Sequence, residues 1–150
     1  NESLLIFYMR SYIMSLLVFF FFSCSKEKSE TPSDFQLYKN KWQSLAFDSY
    51  SYTFQISCFC LMEATLPKNV VVYKNQIVNV DGLSYDNEKH GSVLTIDQLF
   101  DFIEESEKNN VHLLEVTYHS KKGYPISLYI DQDEMIADEE MGYYVSDFKD

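Results

Sequence analysis

The sequence is poor in the residues that interrupt regular structure, with only 4 glycines and 3 prolines in 150 residues. This scarcity argues against a collagen-like or a low-complexity disordered chain. Basic residues are also few, since 12 lysines and arginines face 23 aspartates and glutamates and leave a net charge of −11. Nucleic acid and anionic lipid headgroups are therefore not expected as partners. Cationic ligands and divalent metals remain compatible with this charge.

Signatures of catalysis are missing as well. The sequence has no glycine-rich phosphate loop and no Gly-x-Ser-x-Gly elbow, and no spacing among its 3 histidines matches a zinc site. An acid and a base such as Glu115 and His119 lie near each other in sequence, but no spacing places a nucleophile beside an oriented base. We therefore predict no cofactor, and the sequence favours a non-enzymatic protein.

The first residues, 1–23, are typical of an export signal. Arg10 precedes an almost wholly apolar run, residues 12–22, which is followed by a small residue and Cys24. Met9 would open a more ordinary signal, so we expect the true start there. The end of this segment resembles the lipobox of bacterial lipoproteins, in which the cysteine is acylated and becomes the first mature residue.

The alternative for this segment is an uncleaved membrane anchor. Residues 4–22 nearly reach the roughly 20 apolar residues that a spanning helix needs, but Arg10 in their middle would cost about 2.5–3.5 kcal/mol. We therefore favour an extracytoplasmic envelope protein that is held to the membrane by acylated Cys24. Residues 24–33 are polar and too poor in apolar side chains to order themselves, which predicts a flexible tether before a single domain over residues 34–150.

The composition is sufficient for a packed core, since 46% of the chain is hydrophobic and 17% is aromatic. Two helices are predicted from capping boxes, at Ser33 to Gln36 and at Thr95 to Gln98, each followed by apolar residues at helical spacing. The first should end near Phe47 and the second at Asn109-Asn110, and the apolar stripe of the first is interpreted as core.

Six strands are predicted around these helices. Residues 50–60 alternate apolar and polar side chains, as a half-buried strand does. Residues 69–73 and 76–80 flank Lys74-Asn75 and predict a tight hairpin, and the remaining strands are residues 111–119, 126–131 and 142–148. Short connections favour antiparallel neighbours. We expect an α+β domain in the order α-β-β-β-α-β-β-β, with two helices packed on one face of an antiparallel sheet.

The strand over residues 50–60 carries Cys58 and Cys60, and three interpretations of this pair remain open. A structural disulfide is favoured because exported domains are often cross-linked by disulfides, although a bridge here would need a turn or bulge at Phe59. A labile redox couple is the second interpretation. The third is a thiolate pair for copper or zinc, which would need further ligands.

Two other segments are candidate sites. Six carboxylates lie between residues 131 and 140, so Asp131, Asp133, Asp138 and Glu139 could form a low-affinity calcium site, although the pattern of a calcium-binding loop is incomplete. A solvated acidic loop is the simpler interpretation. In Gly123-Tyr124-Pro125, glycine can supply a positive φ and proline can open a strand. Tyr124 is a candidate exposed contact for a partner.

Several short motifs together resemble those of a known family. They are Tyr52-x-Phe54, Cys58-Phe59-Cys60, Gly123-Tyr124-Pro125, Asp131 and Asp138-Glu139. Over residues 42–148 the chain resembles a family of exported bacterial domains of unknown function. The resemblance implies a small secreted or lipid-anchored α+β domain without an established activity. Our leading hypothesis is a lipid-anchored envelope domain that binds or scaffolds an envelope protein. The alternative is a thiol redox or metal-handling protein that uses Cys58 and Cys60.

Overall fold

The computed structural model describes residues 34–150. The export signal, Cys24 and the tether lie outside the described residues, as does Ser33 of the first predicted capping box. Residues 34–150 form an α+β domain with a seven-stranded sheet in which all neighbouring strands run antiparallel. None of the helices in this part of the chain is long and apolar enough to cross a membrane.

The elements follow one another in two groups. The helices are α1 (Asp34–Ser44), α2 (Met62–Thr65), α3 (Asn87–His90) and α4 (Ile96–Asn109). The strands are β1 (Ser49–Ser57), β2 (Lys68–Tyr73), β3 (Gln76–Val80), β4 (Leu83–Ser84), β5 (Leu113–Tyr118), β6 (Pro125–Asp131) and β7 (Met141–Lys149). Two one-turn helices and the two-residue strand β4 were not predicted, because segments this short carry no periodicity that a sequence pattern could show.

The sheet has the order β4-β3-β2-β1-β7-β6-β5. Strands β1 to β4 and strands β5 to β7 are two antiparallel meanders, and they are joined where β1 pairs with β7. Within residues 34–150, the first and last strands therefore lie side by side near the middle of the sheet. The register along this seam shifts between Ser51 and Thr53, where Asp147 of β7 takes a φ of 50°.

Local sequence signals set several boundaries. The capping box at the start of α4 is confirmed, since the Thr95 side chain accepts from the Gln98 amide and the Gln98 side chain accepts from the Thr95 amide. The hairpin between β2 and β3 turns at Lys74 and Asn75, with φ of 49° and 58°. Two positive φ values suit the right-handed twist of the strands that such a turn connects.

Two predicted boundaries were wrong. Helix α1 ends at Ser44 rather than near Phe47, because Ala46 has a φ of 47° that a right-handed helix cannot continue. Strand β1 ends at Ser57 rather than at Cys60, and residues 58–60 form a bend. The alternation of apolar side chains runs past the strand into this bend, so the pattern alone overestimated its length.

The core is built on the inward side chains of β1. Tyr50, Tyr52, Phe54 and Ile56 are all buried, in agreement with the predicted alternation. Tyr50 joins both long helices to this strand: Trp42 of α1 packs edge-on against its ring at 5.2 Å, and its hydroxyl accepts from the Ile96 amide of α4 at 3.3 Å.

Candidate functional site

Two loops that contain most of the predicted site residues leave the sheet at the same end. Ser57, the last residue of β1, pairs with Gly142 near the start of β7, and Ile130 near the end of β6 pairs with Met141. The loop after β1 and the loop between β6 and β7 therefore start from neighbouring positions of adjacent strands. No sequence pattern indicates that the two loops are neighbours, because their proximity depends on β7 pairing with β1.

The loop after β1 begins with a disulfide. Cys58 and Cys60 are bonded to each other, with their Cα atoms 5.3 Å apart. This agrees with the favoured interpretation, and the bend after Ser57 is the departure from strand geometry that the bridge was expected to need. Cys60 is exposed and Cys58 is half-buried against the core, so the bond is accessible from solvent.

The same loop is tied back to the sheet at its far end. The Gln55 side chain of β1 donates to the Thr65 carbonyl at 3.1 Å, and Lys68 donates to the Ala64 carbonyl at 3.3 Å. Ala64 itself packs against the core. These anchors hold both ends of the loop and leave the side chains between them pointing away from the sheet. Phe59, Leu61 and Met62 are consequently 79%, 80% and 79% exposed.

The loop between β6 and β7 is shaped by its own carboxylates. Glu139 accepts from the Asp133 amide at 2.6 Å, and Asp133 accepts from the Met135 amide at 3.0 Å. The Ile136 amide closes a turn onto the Asp133 carbonyl at 2.9 Å. This turn leaves Met135 91% exposed and Ile136 55% exposed.

The two loops together display large apolar side chains that no other described part of the domain covers. We call this set the apolar end, and it consists of Phe59, Leu61, Met62, Leu66, Met135 and Ile136. Residues 58–66 and 132–140 contain six carboxylates and no lysine or arginine. Large exposed apolar side chains gathered at one end of a domain, among acidic residues, are a feature of surfaces that bind another molecule.

The predicted calcium ligands are not brought together in this arrangement. Asp131 lies in β6, while Asp133 and Glu139 accept backbone hydrogen bonds within the loop, and Asp138 takes a φ of 70°. Within residues 34–150, no three histidine, cysteine, aspartate or glutamate side chains are placed to hold a metal ion. The calcium site stays a prediction, and the structure offers it no support.

The prediction that Tyr124 is an exposed contact was wrong. Its side chain is only 6% exposed, stacked between His119 at 4.8 Å and Phe148 at 4.7 Å between ring centroids. The interpretation of its neighbours as turn residues is confirmed, since Gly123 has a φ of 87° and Pro125 opens β6. Gly123 also touches α1, because a Cβ there would lie 2.6 Å from the Tyr38 carbonyl oxygen.

The exposed surface formed by the apolar end was not predicted from the sequence. Phe59 lies near the end of the alternating stretch, Leu61 and Met62 follow it, and Met135 and Ile136 lie within an acidic segment, so no pattern marked them as a surface. One signal was available: Phe59 falls on the outward parity of the strand pattern, beside cysteines that were already expected to need a turn.

The chain matches one known protein family. The model of one protein family, described as "Family of unknown function (DUF6174)", matches residues 34–150. The match spans all the residues that the structure describes. No significant similarity to a curated protein or to a solved structure was found.

Proposed function

The chain belongs to this family of unknown function, and we propose that it is a non-enzymatic, lipid-anchored envelope domain that docks a partner protein through the apolar end. The observation that carries the proposal is the exposure of Phe59, Leu61 and Met62, each close to 80%. Their loop begins at a disulfide and is hydrogen-bonded to the sheet near its far end. A loop held at both ends loses less conformational freedom when it binds, so more of the burial energy becomes affinity.

The acidic residues of the two loops indicate what kind of partner surface would fit the apolar end. Because the loops of the apolar end carry carboxylates and no basic residue, the complementary surface is an apolar pocket bordered by lysine or arginine. The same charge disfavours insertion of this end into an anionic bilayer. Full burial of one Phe, Leu or Met side chain contributes about 1.5–3 kcal/mol, so a few such residues suffice for a specific contact.

We also infer that α1 and α4 cover one face of the sheet. Both helices contact Tyr50, and the Lys39 ammonium of α1 donates to the Glu104 carboxylate of α4 at 2.8 Å. Packing of this kind leaves the apolar end and the second face of the sheet free for partners.

The docking proposal is tested by photo-crosslinking in cells. A benzophenone amino acid at position 59 should give one adduct of defined mass, and the same residue at Tyr73 should not, because Tyr73 is exposed at the opposite end of the sheet. Binding of the purified partner should then weaken at least tenfold in Leu61→Ser/Met62→Ser. Equal adducts at both positions would overturn the proposal. So would flotation of the unanchored Cys24→Ser chain with phosphatidylcholine vesicles that is lost when Leu61→Ser/Met62→Ser is added.

The anchor is tested separately from the docking surface. Cells grown with an alkyne-bearing fatty acid should label the wild-type chain and leave Cys24→Ser unlabelled. The Cys24→Ser chain should also leave the membrane fraction. Persistent membrane association without label would instead indicate the uncleaved anchor over residues 4–22.

A thiol redox role for Cys58 and Cys60 is the second candidate function. It is favoured by the accessibility of the bridge, since thiol–disulfide exchange requires attack on an exposed sulfur. Mass spectrometry of the thiol state across a glutathione titration, with copper and zinc added in parallel, separates this role from a structural staple. A bridge that resists mild reductant in a protein that binds neither metal would exclude it.

A further inference from the structure

A second surface lies on the face of the sheet opposite to the buried core. Leu128, Ile130 and Tyr143 point into the core, so the residues that alternate with them, Tyr129 and Tyr144, lie on the other face. We propose that this face binds a basic segment of a partner protein, whose lysine or arginine side chains contact the two tyrosine rings and the neighbouring carboxylates of Glu115, Asp131 and Glu140. The proposal does not depend on the apolar end.

The strand register places these residues together. Tyr129 of β6 pairs with Gly142 of β7 on one side and with Glu115 of β5 on the other. Tyr144 follows Gly142 by two positions on the same face and pairs with Ser127 and with Gln55. Side chains directly opposite or two positions apart on neighbouring strands are within contact range of each other.

Gly142 gives this surface its shape. A Cβ at this position would lie 2.9 Å from the Tyr144 hydroxyl oxygen and 3.1 Å from its Cε2 atom. The Tyr144 ring therefore lies along the sheet, over the space that a side chain at residue 142 would occupy. A ring in this orientation is a platform for a cation, because the negative face of the π-system attracts ammonium and guanidinium groups.

The charge around the rings is negative and has no partner among the described residues. Glu115, Asp131 and Glu140 take part in no ion pair within residues 34–150, and the Asp131 Oδ1 atom is buried there without a hydrogen-bond partner. The pKa of Tyr129 is raised, first by desolvation and then by these three carboxylates. A cation at this position would satisfy the carboxylates and contact the rings.

Two other tyrosines of this chain already have a lysine ammonium beside the ring. Lys74 places its ammonium 5.3 Å from the centre of the Tyr73 ring, and Lys41 lies 5.1 Å from that of Tyr38. In the described part of the chain, neither Tyr129 nor Tyr144 has such a lysine. Among the described residues, this aromatic surface with its carboxylates therefore has no lysine of its own and can receive an external cation. A second copy of the chain is a poor occupant because it carries a net charge of −11.

The experiment uses the full chain in an uncharged detergent and measures the fluorescence anisotropy of a labelled hexalysine peptide. We expect saturable binding that weakens as salt rises. Tyr144→Leu should weaken binding about 2- to 30-fold, the range of cation–π energies from exposed to desolvated sites. Tyr144→Phe should keep wild-type affinity, because the ring remains.

Matched variants separate this site from general attraction to an acidic protein. Glu115→Gln should weaken binding, whereas Glu88→Gln, an exposed acid of α3, should not. Tyr73→Leu should bind like the wild type. Equal losses in the site and control variants, or no loss in Tyr144→Leu when its melting temperature is unchanged, would contradict the proposal. Spermidine serves as a competitor of the hexalysine peptide. If it displaces the peptide at the same total concentration of positive charge, free polyamine rather than a basic segment is the ligand, which would overturn the proposal.

Discussion

The buried core and the apolar end contain the same types of side chain in opposite surroundings. Phe100 of α4 is completely buried and its ring lies 6.1 Å from that of Phe35, whereas Phe59 is 79% exposed and none of the ring contacts within the described residues involves it. Strand and helix periodicity accounts for the first position. The second is held outward by a disulfide and by the backbone anchors of its loop.

This difference separates stability from binding. Core side chains are fixed by several neighbours at once, so losing one leaves a cavity that the structure cannot fill. At the apolar end, the free domain loses almost nothing when a side chain is truncated, because water already surrounds it. Substitutions in the core should therefore lower stability strongly, whereas those at the apolar end should weaken binding and leave stability almost unchanged.

The largest effect is expected for Phe100→Ala, which should lower the free energy of unfolding by about 3–5 kcal/mol. Phe59→Ala, the same chemical change at an exposed site, should lower it by less than about 0.5 kcal/mol. Urea denaturation followed by the fluorescence of Trp42 measures both. A cost above about 1 kcal/mol for Phe59→Ala would place this ring in the core and remove the contrast.

A pair of glycines tests backbone packing in the same way. Gly123→Ala should cost more than about 2 kcal/mol, because the positive φ adds about 1–2 kcal/mol of strain to a Cβ only 2.6 Å from the Tyr38 carbonyl oxygen. Gly82→Ala should show the strain alone, since its φ is 83° with no atom within 4 Å of the added Cβ. Thermal melts compare the two variants, and equal costs would contradict a close approach of Gly123 to α1.

Buried tyrosines should make the core sensitive to alkaline pH. Burial raises the pKa of Tyr50 and of Tyr52 above 10.0. The unfolded chain then releases protons that the folded chain retains, so stability present below pH 10 falls as pH rises, by about 1.4 kcal/mol per pH unit for each tyrosine. Urea denaturation from pH 8 to 11.5 measures the slope. Tyr50→Phe/Tyr52→Phe should flatten it, and an unchanged slope would contradict the assignment.

The smallest effect is expected at the surface carboxylate of Glu104, which contacts Lys108 of its own helix and Lys39 of α1. Hydrogen bonds from Lys108 and Lys39 lower the pKa of Glu104 from 4.5 to about 2. Stability from this group is present above pH 4.5 and is lost as pH falls through about 2. Glu104→Gln should flatten the acid limb of a stability–pH curve, and added salt should reduce the difference. Curves that stay parallel would exclude a role for this contact.

Features that depend on residues close in sequence were predicted, whereas features that depend on contacts between distant residues were not. The inward residues of β1, the turn at Lys74-Asn75 and the capping box at Thr95 depend on neighbours a few positions away, and all three were predicted. Tyr124, in the turn between Gly123 and Pro125, was a candidate exposed contact for a partner. Its burial depends on Phe148, which lies 24 positions further along the chain and packs on its ring.

The candidate sites show the same division. Cys58 and Cys60 lie two positions apart, so a disulfide between them could be proposed from their spacing. The apolar end could not be proposed from the sequence, because its two loops become neighbours only when Ser57 pairs with Gly142. The surface around Tyr129 also requires the registers of three strands, which no local pattern specifies.

The sequence by itself determined the two long helices and the six longer strands, since side-chain periodicity, capping residues and turn residues act through adjacent turns and strands. It also determined the acidic charge, and it placed Cys58 and Cys60 close enough for a disulfide to be one of three interpretations. Only the tertiary structure decided which of these elements meet. The pairing of β1 with β7 brings two distant loops to one end of the sheet and aligns Tyr129 with Gly142 and Glu115. Contacts between residues this far apart are selected by the packing of the whole core, and both proposed binding surfaces depend on them.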